Sequence, residues 1–108
     1  MQPLSISKTR TGSWTDGQAS MFELYFQKSK HGKRVVVFHW LDKGIVEIRA
    51  IQGDGRTPKF RQFERAVIDR PGGDWPAVAA EIARTMADRH FATPAGDNLA
   101  RTKAEWGW

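Results

Sequence analysis

Two β-rich runs separated by a turn, residues 34–42 and 44–52, constrain the fold of this chain more than any other feature. They read Arg-Val-Val-Val-Phe-His-Trp-Leu and Ile-Val-Glu-Ile-Arg-Ala-Ile, and they meet at Asp42-Lys43-Gly44. β-branched and aromatic residues favour strands, and a glycine-containing break between two such runs makes a hairpin. In the first run Val35, Val37, His39 and Leu41 share one face, and Arg34, Val36, Phe38 and Trp40 share the other. In the second, Val46, Ile48 and Ala50 oppose Ile45, Glu47, Arg49 and Ile51. Both faces of the first run are largely apolar, so this strand is central in its sheet or its aromatic face has a partner.

The neighbouring segments extend this ribbon. Phe22, Leu24 and Phe26 alternate with Glu23, Tyr25 and Gln27, which is the pattern of a half-buried strand over residues 21–28. The turn that follows carries Lys28, Lys30, Lys33 and Arg34 around His31 and Gly32, the densest basic cluster in the chain. Gly53-Asp54-Gly55-Arg56 is a second turn, since Asp-Gly tolerates positive φ. Residues 57–69 fit two descriptions. Phe60, Phe63 and Val67 repeat at helical spacing behind Thr57-Pro58, whereas the preceding turn and the β-formers Val67 and Ile68 suit a returning strand.

Residues 75–90 form the clearest element. Trp75, Val78, Ala79, Ile82 and Met86 recur on one helical stripe, and Glu81, Arg84, Thr85, Asp88 and Arg89 lie opposite. Asp74 suits the N-cap, Pro76 suits the first turn, and Thr93-Pro94-Ala95-Gly96 ends the helix. Residues 1–20 read as a flexible arm, with a short extended piece around Leu4 and Ile6, and residues 92–108 as a loose tail ending in Trp106 and Trp108. The expected domain spans residues 21–91. It is an α+β, two-layer unit: a four-stranded antiparallel sheet followed by one amphipathic helix, in the order ββββα.

Composition narrows the chemistry. The 108 residues suffice for one domain, and with no cysteine there is neither a disulfide nor a thiolate metal site. The three histidines, His31, His39 and His90, show no metal-ligand spacing, and no nucleophile or phosphate-loop motif occurs. We expect a non-enzymatic protein without cofactor or metal. No apolar run reaches the length of a membrane span and the first residues lack a signal-like apolar core, so a cytoplasmic location is expected. The net charge is +5, and it is unevenly spread. Up to Arg70 there are 13 Lys and Arg against 7 Asp and Glu; from Pro71 onward there are 4 against 5. A basic sheet half beside a neutral helical half is the charge pattern of a one-faced polyanion binder.

The order of these pieces resembles the positive cofactor four type of single-stranded DNA-binding domain, related to the Whirly fold. The matching segments are Phe-Glu-Leu (22–24), the basic turn, residues 34–40, Val-Glu-Ile-Arg (46–49), the Asp-Gly turn with its nearby proline (54–58), a returning segment (64–69) and a helix entered through Trp75. The resemblance covers residues 22–90. It implies a homodimer that binds unpaired DNA on β-ridges, with Trp40, Arg49 and Lys59 at family contact positions. It also favours a strand over residues 57–69, and we adopt the strand. Gln52 stands where the family tends to carry an aromatic residue, and Ala66 is nearest to the position of a customary glycine.

The candidate nucleic-acid contacts are therefore Lys28, Lys30, Lys33, Arg34, Phe38, Trp40, Lys43, Arg49 and Lys59: cations for phosphates and rings for bases. Single-stranded DNA is the favoured partner. The competing expectation is a small accessory or inhibitor protein of a phage or other mobile element, which docks on a larger protein machine. For that role the candidate contacts are Trp75, Val78, Ile82, Met86, Trp106 and Trp108, and the helix stripe among them serves equally as core.

Overall fold

A computed structural model of the chain describes residues 1–27, 32–53, 58 and 60–91. Six antiparallel strands form one sheet: β1 (Ser5–Ile6), β2 (Arg10–Trp14), β3 (Gly17–Tyr25), β4 (Arg34–Trp40), β5 (Ile45–Gln52) and β6 (Arg61–Ile68). One helix, α1 (Trp75–His90), follows them. The strands run in the order β1-β3-β4-β5-β6, and β2 also pairs with β3. The α+β class, the antiparallel sheet and the C-terminal helix are as expected. The strand count is corrected from four to six, because the stretch read as an arm contributes β1, β2 and the start of β3. That stretch is polar since its strands lie at a sheet edge and bury few side chains: all of β1 and most of β2 are exposed or half-buried.

The central hairpin forms as expected from its two runs and turn. Trp40 pairs with Ile45 and Val37 with Ile48. Gly44 adopts φ +64 and donates its N–H to the Trp40 carbonyl at 2.9 Å. An L-residue with a side chain would be strained there. Residues 61–68 form a strand, so hairpin chemistry prevails over the helical spacing of Phe60, Phe63 and Val67. A register shift lies between Ala50 and Ile51, where β6 meets β5.

The alternating residues build two cores, one on each side of the sheet. On one side Phe22, Leu24, Val35, Val37, Val46, Ile48 and Ala50 pack against Ala79, Ala83, Met86 and Ala87 of α1. Met86 is fully buried, and Trp75 and Ile82 pack against the same cluster. Truncating a buried Leu or Ile of this cluster to Ala costs about 2–5 kcal/mol. Asp74 occupies the N-cap position but its carboxylate makes no capping hydrogen bond; its backbone carbonyl accepts from Ala77 and Val78 instead. Phe91 closes the helix end against Phe26 and Phe63. On the other side lies a second cluster of Ala19, Met21, Val36, Phe38, Trp40 and Ile51, flanked by Trp14 and Ile45. No helix of the described residues is long and apolar enough to cross a membrane.

Candidate nucleic-acid interface

The face opposite the helix is filled from within. Phe38 and Trp40 stand two residues apart on β4 and stack on one another, with centroids 4.8 Å apart and planes 10° from parallel. Each outer ring face is covered by a cation: the Lys43 Nζ lies 5.4 Å from the Trp40 ring, and the Arg49 guanidinium 5.2 Å from that of Phe38. Trp14 closes the top, meeting Phe38 edge-on at 5.4 Å and Trp40 at 6.5 Å.

The lid is the β2–β3 hairpin, which curls over this face. Asp16 at its tip reaches Arg49 on β5 at 3.4 Å. Gly17 follows it with φ +135, and a β-carbon there would stand 3.0 Å from the Asp42 carboxylate, so only glycine fits. That carboxylate accepts the Gln18 N–H at 3.3 Å, and the Leu41 N–H donates to the Gln18 carbonyl at 2.9 Å. The hairpin tip is thereby fastened to the β4–β5 turn.

Glu47 anchors the cluster. It is 3% exposed, accepts the Trp40 indole N–H at 3.3 Å, and is ion-paired to both Arg49 and Arg65. Burial by itself would raise its pKa. The Arg65 hydrogen bond, the Arg49 charge and the Trp40 N–H outweigh that effect, and the carboxyl is held below its ordinary value.

This geometry corrects two of the candidate contacts. Phe38 and Trp40 are 7% and 2% exposed, and neither has a ring face open to a base. The alternation placed them correctly on the face away from the helix, but that face is a second core. Arg49 is spent on Glu47, Asp16 and Phe38. Lys43 is exposed and its ammonium sits over Trp40.

Arg34 has a structural role at the opposite end of β4. Its Nε donates to Glu23 at 3.1 Å, Nη1 to the Gly32 carbonyl at 3.1 Å and Nη2 to the Gly53 carbonyl at 2.9 Å. Glu23 also accepts the Tyr25 hydroxyl at 2.9 Å. Burial, then the bond to Glu23, raise the Tyr25 pKa above its usual value. One guanidinium thus ties the chain entering β4 to the chain leaving β5.

Around this tie stand the remaining cations. Lys33 is half-buried beside it, and its carbonyl accepts the Phe26 N–H at 2.9 Å. Arg61 is exposed at the start of β6, with its guanidinium 4.6 Å from the Phe63 ring. Lys28, Lys30 and Lys59 lie outside the described residues, as do Trp106 and Trp108. Residues 28–31 nevertheless join Gln27 to Gly32, and residues 54–59 run from Gly53 to Phe60, so both connections leave the sheet at the end held by Arg34. Sequence reading gave the basic turn and the Asp-Gly turn separately. It does not show that Gly32 and Gly53 are held by one side chain, because no local signal reports which strand ends a three-way arginine bridges.

Of the helix residues considered for protein contact, Met86 is core and unavailable. Trp75 is engaged with Phe22 at 5.9 Å and His39 at 4.8 Å, and Ile82 is half-buried; Val78 is 39% exposed. An open groove of about 320 Å³ runs between α1 and the N-terminal segment, lined by Ile6, Phe22, Pro76, Ala77 and Ala80 among others. Among the described residues no group of three or more His, Asp or Glu side chains could hold a metal ion. No protein-family model, curated protein or solved structure matches the chain.

Proposed function

We propose that this is a nucleic-acid-binding domain, with single-stranded DNA as its favoured ligand, and that contact is made at one end of the sheet and not on its face. The observation that carries this is the Arg34 bridge from Gly32 to Gly53. It brings Gly32, just before β4, and Gly53, just after β5, to one guanidinium. From residue 27 to 33 and from 53 to 61 the sequence holds Lys28, Lys30, Lys33, Arg56, Lys59 and Arg61 against Asp54 alone, a surplus equal to the net charge of the whole chain. Cations grouped at one end attract a phosphate backbone through counterion release, without base-specific contact.

The test is fluorescence anisotropy with a labelled single-stranded oligonucleotide. Binding at low salt that weakens at least tenfold when salt is raised fourfold supports the proposal. Unchanged anisotropy at the lowest salt removes it. The homodimer implied by the resemblance is part of the proposal; β6 has one edge without a strand partner among the described residues, and a solution mass of one chain or two decides the point.

A second reading has its own observation. The groove between α1 and the N-terminal segment, lined by Ile6, Phe22, Ala77 and Ala80, suits an apolar segment of another protein, as an accessory or inhibitor protein of a mobile element would need. Partner capture that survives nuclease treatment and is lost with Ala77→Asp favours that reading.

A further inference from the structure

Phe60 is the one exposed aromatic side chain among the described residues, with 39% of its surface open. Every other described ring is buried or half-buried, and most of them pack on one another. Among the described residues no ring packs against Phe60 and no cation covers it. Its place in the fold is specific. It immediately precedes β6, and the pairing of Gln52 with Arg61 puts it next to Gly53, the residue whose carbonyl Arg34 holds. Lys33 enters the sheet one strand beyond Gly53, about 10 Å from Phe60 at the usual strand spacing. Arg61 is adjacent.

Phe60 is an exposed apolar ring beside cations, and among the described residues it makes no ring–ring and no cation–π contact. Single-strand-binding surfaces need this pair of features: cations to follow the phosphates and an uncovered π-face for a base. Phe38 and Trp40 cannot supply the second, since Lys43, Arg49, Trp14 and each other occupy them. We infer that Phe60 is the base-stacking residue of this domain and the source of a preference for unpaired over duplex DNA. The inference rests on the nucleic-acid reading above and deepens it.

The variants are Phe60→Ala and Phe60→Leu, titrated against a labelled oligothymidylate of about twelve nucleotides and against a hairpin duplex. Phe60→Leu retains an apolar side chain and discards only the flat ring. Both variants should bind the single strand roughly 5- to 100-fold more weakly, the range for one lost stacking contact, with an unchanged salt slope. Duplex affinity should stay within twofold, and melting temperature should not move. Single-strand affinity of Phe60→Leu equal to that of the parent overturns the inference. If Arg61→Glu weakens binding while Phe60→Leu does not, stacking fails and the polyanion reading stands. If the parent chain binds neither probe at low salt, both fail.

Discussion

The Arg34 guanidinium donates to the Gly53 carbonyl oxygen at 2.9 Å, and this single bond couples the start of β4 to the residue after β5, nineteen positions onward in sequence. The same group holds Glu23 and Gly32, with 11% of its side chain exposed. A guanidinium alone among the side chains presents donors in a rigid fork for three such acceptors. A residue that sequence reading offers to phosphate is instead a tie between the start of β4 and the end of β5.

Arg34→Ala should therefore destabilise the fold by about 2–3 kcal/mol, since it leaves the half-buried Glu23 and two carbonyls without their donor. Arg34→Lys should recover less than half of this, because an ammonium cannot reach all three acceptors. Urea denaturation of the three proteins checks both statements.

Trp14 is the lid of the aromatic cluster, and its removal should show in the emission of the rings beneath. Trp14→Ala should cost about 2–3 kcal/mol, at or below the lower limit for a large aromatic because Trp14 is only half-buried. Emission from the remaining tryptophans should shift to the red and become more accessible to acrylamide. An unchanged spectrum would mean that the hairpin does not shield Trp40.

Glu47 gives the fold an acid limb. Its folded pKa lies below its unfolded value of about 4.5, so its contribution is complete above that pH and is lost as pH falls through the lower folded pKa. Glu47→Gln should be less stable than the parent at pH 7, and the gap should narrow as the pH is brought below 4. Equal stability of the two proteins at pH 7 would contradict the role given to Glu47.

Most of the fold was legible because alternation reports which face a side chain takes. Val35, Val37, Val46 and Ile48 fall under the helix, and Phe38 and Trp40 fall on the reverse, as the pattern requires. Alternation does not report what covers a face. Trp14 and Asp16 sit in a polar stretch, and their contacts on the sheet include Phe38 and Arg49, 24 and 33 residues onward, with no local signal to mark that closure. The short edge strands were missed for the same reason: β1 and β2 bury too little to show a period. Of the candidate site, the sequence carries the cations but not which of them are consumed by ion pairs, because Glu23 and Glu47 meet Arg34, Arg49 and Arg65 only across the folded sheet.

One labelled single-stranded oligonucleotide titrated with two variants separates binding at the sheet end from binding on the sheet face. Lys33→Glu/Arg61→Glu reverses charge at the sheet end, and Trp40→Phe alters the buried face while keeping a ring there. We expect the charge-reversed protein to lose affinity by at least tenfold and to show a shallower salt dependence, with Trp40→Phe within twofold of the parent. Loss of binding in Trp40→Phe, with full affinity in Lys33→Glu/Arg61→Glu, would return the contact to the sheet face and contradict the account.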